Sequence, residues 1–267
     1  DLASGKSVEL QVAAKGTLEP SCPDSRSDRC LVTATGWVQP RSLYDADLES
    51  GAVTRSPLSS DVRYPEFEDV VADEVEVPGH DGVMIPLSII HRKDMRLDGS
   101  SPCILEGYGA YGISYNPAFS VRHSVVHHGV VFAYAHVRGG SEKGEAWYRA
   151  GYKSTKPNTW KDFNSAGEWL VQKGYTSRDR LTGRGTSAGG ILISRAITDR
   201  PDLYAAAVVN VGDANTLRSE FSTNGPPNVP EFGSVQVQEE AGWLAEMDGV
   251  QHVHPGVHYP SVLGVGG

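Results

Sequence analysis

The stretch LTGRGTSAGGILISRAI, Leu181 to Ile197, decides the fold. A short strand, RLTGRG, runs into a glycine-rich turn. A helix, SAGGILISRAITDRPD, leaves the turn and is stopped by Pro201. Gly185-Thr186-Ser187-Ala188-Gly189 fits G-x-S-x-G, a pattern that takes its meaning from the strand before it and the helix after it. Glycines at 185 and 189 remove side chains where strand and departing helix would collide, which lifts a serine Oγ at the carboxyl end of the strand. The plainer reading is a turn that binds an anion or nothing. A phosphate loop would need G-x-x-x-x-G-K-[ST], and no lysine follows; a dinucleotide fingerprint would open a βαβ unit rather than follow several strands. Ser187 is therefore the candidate nucleophile.

Outward from this turn, strands and helices alternate from Asp73 onward. DEVEVPGHDGVMIPLSIIH reads as a β-hairpin about Asp81-Gly82, whose residues suit a tight type I′ turn. PCILEGYG is a strand running into a glycine-rich loop, NPAFSVRHSVVHHG a helix and VVFAYAHV a fully apolar strand. NTWKDFNSAGEWLVQKG spaces Trp160, Phe163, Ala166, Trp169 and Leu170 as a helix does, with Gly174 as its cap. YAAAVVNVG is a further strand. Strands apolar on both faces, interleaved with helices, predict a mostly parallel sheet covered by helices. Before residue 70 the pattern is different: short β-like runs such as SVELQV and CLVTATGWV, cut by turn residues. The expected division is an all-β fragment over 1–70 and an α/β domain over 71–267.

The 267 residues suffice for one large domain, or for a domain with a fragment of another. A formal net charge of −9 argues against a nucleic-acid surface. No apolar run approaches the ~20 residues of a membrane span. The sequence begins at Asp1 and shows no signal peptide. Cys22 and Cys30 bracket PDSRSDR; they either close a hairpin loop as a disulfide or remain two thiols. A disulfide would favour a periplasmic or secreted location, and free thiols a cytoplasmic one. Cys103 sits in a strand pattern and reads as a core thiol.

A serine nucleophile needs donors where negative charge develops. The backbone N–H of Ala188, the residue after the serine, is one. Tyr108, between glycines in EGYGAYG, either supplies a second or packs beneath its loop.

In order along the chain occur HDGVMIPLSIIH, DGSSPCILEGYGAYG, AHVRGGSEKGEAWY, KPNTWKDF, GYTSRDRLTGRGTSAGG and RPDLYAAAVVNVG. Over about residues 30 to 263 this resembles the catalytic domain of the prolyl oligopeptidase family of serine peptidases. The resemblance implies an α/β-hydrolase fold preceded by a β-propeller, of which residues 1–70 would be the last strands. It puts the nucleophile on Ser187, the oxyanion tyrosine on Tyr108 and an amide donor on Ala188. It implies short peptides as substrates and no cofactor or metal. In prolyl-specific members a tryptophan stacks on the substrate proline; the matching position in NGPPNVPEFGSV holds Asn228. Phe232 falls where a pocket tyrosine is expected and Tyr111 where a pocket phenylalanine is. Two aromatics keep a prolyl or apolar P1 residue as the expectation. Glu231, alone where Arg/Lys-specific relatives place paired acids, reads as a solvated surface group.

A serine of this kind works with a histidine base held by a carboxylate, in the chain order Ser, Asp/Glu, His. The resemblance places the aspartate just after a strand like HYPSVLGVGG, and the histidine some tens of residues later, at positions not among these 267. His252, His254 and His258 read as loop histidines; the HVH alternation lacks a third metal ligand at useful spacing. Asp213 reads as a loop anchor near the site. His123, His127, His128 and His136 precede the serine, and nothing marks them as a base. The expectation is a fragment of a serine oligopeptidase, with the rest of the parent chain as a possible partner. The alternatives are an esterase or acylaminoacyl-peptidase-like hydrolase, or a truncated, non-catalytic binding protein.

Overall fold

The computed structural model describes residues 5, 7–14 and 16–266. They form two compact units: residues 1–71 together with 116–127, and residues 72–115 together with 128–267.

The first unit holds a four-stranded antiparallel sheet, β1 (Thr17–Ser21), β2 (Arg29–Thr35), β3 (Ser42–Asp47) and β4 (Val53–Arg55), paired in sequence order. Along β2 the alternate residues Cys30, Val32 and Ala34 are buried, the period-two pattern of a sheet with one covered face. Cys30 and Val32 pack with Ala46, Leu10, Val12 and Val53. Cys22 and Cys30 are joined as a disulfide. NPAFSVRHSVVHHG departs from expectation. Val121–His128 is a 3₁₀ helix, not an α-helix. Its two buried residues, His123 and Val126, are three apart, a spacing that both the three-residue turn and the α turn put on one face. The His123 ring bonds to the Trp37 carbonyl at 3.0 Å.

The second unit is built on a seven-stranded sheet. Its strands are β5 (Val70–Pro78), β6 (Met84–Arg92), β7 (Cys103–Gly107), β8 (Val131–Ala135), β9 (Leu181–Thr186), β10 (Ala206–Asn210) and β11 (Ser261–Val265). Their spatial order is β11-β10-β9-β7-β8-β6-β5. From β11 to β8 neighbours run parallel, and β6 is antiparallel to β8. Every residue of β8 is buried, as its unbroken apolar run requires. The connection between β5 and β6 corrects the type I′ reading. The turn closes from Gly82 N–H to Gly79 C=O at 3.1 Å, so His80 and Asp81 are its central residues. Only Gly82 among these has a positive φ, +82°. Asp81 keeps its ordinary backbone and spends its carboxylate on Arg138, 2.6 Å away.

The helices are α1 (Glu145–Arg149), α2 (Pro157–Gln172), α3 (Gly189–Asp199), α4 (Thr216–Ser219), α5 (Val229–Phe232) and α6 (Gln238–Met247). α2 starts with Pro157 in its first turn, where the missing N–H costs nothing. It buries Trp160, Phe163, Ala166 and Leu170 along one stripe, each of the larger ones worth roughly 1.5–3 kcal/mol. It ends in paired bonds from Tyr175 N–H to Leu170 C=O and from Gly174 N–H to Val171 C=O, both orphan carbonyls of the last turn being satisfied. α3 is buried from Gly189 to Ile197, the property of a helix apolar on most faces.

This topology fixes where a ligand can sit. β7 leads to β8 on one side; the chain then returns to β9 on the other side and continues to β10 and β11. The strand order reverses between β7 and β9, and the crevice at their carboxyl ends is the usual ligand position in open α/β sheets.

Candidate active site

Gly107 of β7 is in register with Gly185 of β9, and Asn210 of β10 with Thr186. The residues that follow, Tyr108, Ser187 and the segment 211–213, therefore leave the sheet side by side at the reversal point.

Ser187 has φ = +55°, the left-handed region. A non-glycine residue held there costs on the order of 1–3 kcal/mol and persists only where its surroundings over-determine it. They do so here: Ser187 N–H donates to Asn210 C=O at 3.0 Å. Its own carbonyl accepts from Gly190 N–H at 2.8 Å and Asp213 N–H at 3.1 Å. The glycines are required by close approach. A Cβ on Gly185 would lie 2.0 Å from Gly189 O, and one on Gly190 2.4 Å from Asp213 N. The result is an exposed serine followed by a buried Ala188. The Ala188 N–H has no hydrogen-bond partner among the described residues, so an acceptor arriving at Ser187 meets an open donor.

Tyr108 is half-buried, and its side chain lies beside that of Ser187. Burial raises its phenol pKa from the ordinary value, and the negative field of Glu231 adds to this. Both effects keep the hydroxyl protonated and able to donate.

Ser187, Ala188, Tyr111, Asn228 and Phe232 line one cleft of about 470 Å³. Val211, with φ = +44°, is a second strained residue on its wall. The Tyr111 and Phe232 rings meet edge to face, centroids 5.5 Å apart. Tyr111 donates its hydroxyl to Asn228 Oδ1 at 2.7 Å, and Asn228 donates to Asn224 C=O at 3.0 Å. Where a stacking indole was the comparison, the wall is an amide locked in place by a phenol.

Glu231 is not a solvated surface group. It is 4% exposed, and it accepts the Tyr111 backbone N–H at 2.7 Å and the Tyr148 hydroxyl at 2.6 Å. Beneath the same loop lies Lys156, 1% exposed, its Nζ bonded to Gly109 C=O and 5.2 Å from the Phe232 ring centre. One buried cluster thus ties the Tyr108–Tyr111 loop to the Phe232 wall. The sequence holds no local signal for this: Glu231 is far along the chain from Tyr148 and Lys156, and only the tertiary fold joins them.

Burial lowers the Lys156 pKa from 10.5 to about 8, Glu231 opposing the shift. Between these values the unfolded chain holds a proton that the folded chain has lost. This lysine's contribution to stability therefore falls as the pH drops from about 10.5 to about 8, by about 3 kcal/mol in total. Denaturant midpoints measured across this range should show that slope, and Lys156→Met should flatten it. An unchanged slope would place the lysine in water.

Asp213 is a loop anchor that also faces the cleft, accepting from Asn215 N–H at 3.2 Å and from the Ser219 hydroxyl. His252 bonds to Asp248 C=O at 2.8 Å, and His254 and His258 are exposed. Among the described residues no histidine hydrogen-bonds to Ser187, and His252 and His254 gather no third metal ligand. Another serine, histidine and carboxylate do line up. Ser88 Oγ is 2.7 Å from His136 Nε2, and His136 Nδ1 is 3.4 Å from Glu142 Oε1. Ser88 is 1% exposed on β6 and donates to Glu74 Oε2 at 2.6 Å, so this line is a core network without a path for substrate.

The model of the prolyl oligopeptidase family of peptidases matches residues 117–267. The chain belongs to the prolyl oligopeptidase family. It is 32% identical to a prolyl endopeptidase of Elizabethkingia miricola, over 97% of this chain and 37% of that protein. It is 31% identical to dipeptidyl aminopeptidase BI of Pseudoxanthomonas mexicana, over 83% of this chain and 31% of that protein. A solved prolyl endopeptidase superposes with a TM-score of 0.89 at 31% identity, covering 96% of this chain and 38% of that one. Prolyl oligopeptidase B of Galerina marginata, solved with a 35mer hydrolysis and macrocyclization substrate, gives 0.88 at 27% identity, covering 96% and 37%. These prolyl oligopeptidases carry the α/β-hydrolase fold, and the sheet, helices and serine turn described above are that fold in this chain. The chain spans about a third of the length of the relatives it matches.

Proposed function

We propose that the protein is part of a serine-type oligopeptidase that hydrolyses short peptides through an acyl-enzyme on Ser187. One observation carries the reading: a strained, exposed serine at the sheet's reversal point, with a tyrosine side chain beside it and an unpartnered amide after it. In the first half-reaction Ser187 Oγ adds to the scissile carbonyl carbon while a base removes its proton. The carbonyl oxygen takes up the negative charge against Tyr108 O–H and Ala188 N–H. The C–N bond then breaks, and the amine leaves with a proton. Water hydrolyses the ester by the same steps in reverse. The base and its carboxylate come from polypeptide outside these residues, for which the additional length of the relatives gives room. The Tyr111 and Phe232 rings favour an apolar or prolyl P1 side chain. The β1–β4 sheet fits the end of a propeller, and the Cys22–Cys30 bridge favours an oxidising compartment.

A fluorophosphonate probe tests the nucleophile directly: mass mapping of the adduct should place it on Ser187, and an adduct elsewhere would sink the assignment. Ester and peptide substrates with Pro, Phe or Arg at P1 separate a peptidase from an esterase; a preference for Arg would overturn the pocket reading. Tyr108→Phe should lower kcat by about 10²–10³ with little change in KM, because its hydroxyl serves the oxyanion more than the bound substrate. A change confined to KM would make Tyr108 a packing residue.

A further inference from the structure

The lining of the Ser187 cleft includes a cation with nothing to hold. Arg218, on α4, lines the cleft and is exposed, and its guanidinium has no hydrogen bond or ion pair among the described residues. Arg96 and Arg180 of this unit also have no ion pair among the described residues, but each lies in the field of a neighbouring aspartate, Asp98 and Asp179. Arg92, Arg138, Arg149, Arg178, Arg184, Arg195 and Arg200 each have a carboxylate oxygen within 3.2 Å. In a chain of net charge −9, acids are in surplus, so an unpaired arginine is not explained by a shortage of partners. The two nearest in sequence are committed elsewhere. Asp213 takes Asn215 N–H and the Ser219 hydroxyl. Glu220 takes the Ser234 hydroxyl at 2.9 Å and Val235 N–H at 3.0 Å. Ser222, Asn224 and Asn228 add neutral polar groups to the lining. The cleft therefore combines aromatic rings with a planar, permanently charged fork of donors. That geometry matches a carboxylate, which an arginine can bind through two parallel hydrogen bonds.

We infer that Arg218 is a specificity-determining residue that receives a substrate carboxylate, either an Asp or Glu side chain near the scissile bond or a peptide's free carboxyl terminus. The inference rests on the reading of this cleft as a peptide site. Because Arg218 is exposed, its attraction is moderated by solvent and weakens with salt.

The test uses four fluorescent, N-blocked tetrapeptides: one containing Glu and its Gln counterpart, each as the free acid and as the amide. Binding is measured on the wild-type chain and on Arg218→Gln, at low and high ionic strength. The carboxylate-bearing members should bind the wild type more tightly by on the order of tenfold. The margin should shrink with added salt and vanish in Arg218→Gln. A margin confined to the Glu/Gln pair assigns the site to a side chain, and one confined to the acid/amide pair assigns it to the terminus. Equal binding of all four, no binding of any, or a margin that survives in Arg218→Gln overturns the inference. Fluorophosphonate labelling of wild-type Ser187 reports separately on the peptidase reading, so the two can fail independently.

Discussion

Ser187→Ala is expected to cut peptide turnover by the parent protein on the order of a millionfold, leaving only the rate supplied by binding and the oxyanion donors. The same substitution should leave stability nearly unchanged. Alanine keeps the Cβ that makes φ = +55° unfavourable, and the backbone bonds to Asn210, Gly190 and Asp213 do not involve the side chain. Ser187→Gly separates strain from chemistry. It should be as inactive as the alanine variant, yet more stable by about 1 kcal/mol, because glycine enters the left-handed region without steric cost. Turnover assays and denaturant midpoints on the three proteins suffice. A glycine variant no more stable than wild type would mean that the turn is not strained. Residual turnover near the wild-type level in either variant would move the nucleophile elsewhere.

The contrast between Ser187 and Glu231 shows what the sequence could carry. The serine turn is a local device: strand, two glycines, serine and helix lie within a dozen residues, and the close contacts at Gly185 and Gly190 are the physical reason for the spacing. Tyr108 is less local. Its glycine-flanked position suggested a role or a packing site equally, and only the alignment of Gly107 with Gly185 brings it to Ser187. Asn228 and Phe232 were legible through resemblance alone, since nothing in NGPPNVPEFGSV states which side chain faces the cleft. The helix expected over NPAFSVRHSVVHHG failed for a different reason. Two buried positions are too few for a periodic pattern to separate a 3.6-residue turn from a 3.0-residue one. Glu231 was unreadable because its burial depends on Tyr111, Tyr148 and Lys156, each from another part of the chain. A lone acid between a proline and a phenylalanine carries no sign of such partners.

Arg218 and Glu231 also divide the electrostatics of the cleft. The arginine is a charge without a partner at the surface; the glutamate is a charge fully enclosed by partners. The first is available to a ligand at little cost. The second is spent on holding the site together, since a buried carboxylate must be compensated by donors and by a nearby cation.

Removal of that compensation is expected to be the largest stability effect in the unit. Glu231→Ala strips the Tyr111 backbone N–H and the Tyr148 hydroxyl of their acceptor and leaves the Lys156 ammonium buried without its negative neighbour. Breaking a buried charge arrangement from one side costs about 3–5 kcal/mol. The structure also states where the damage goes. Tyr111 N–H anchors the loop that carries Tyr108, and Phe232 is the residue after Glu231. The variant should therefore label more slowly at Ser187 with a fluorophosphonate, although Ser187 itself is untouched. Glu231→Gln separates shape from charge. The amide oxygen can still accept from Tyr111, so the loop should hold better than with alanine, while the lysine remains uncompensated. Lys156 should then surrender its proton more easily, since the carboxylate that raises its pKa is gone. Adding Lys156→Met to Glu231→Gln removes the stranded cation and should recover part of the lost stability, a coupling that independent sites would not show. Denaturant midpoints for the two single variants and the double variant decide it. Simple additivity would mean that Glu231 and Lys156 act separately, and that the cluster is a set of hydrogen bonds rather than a balanced pair of charges.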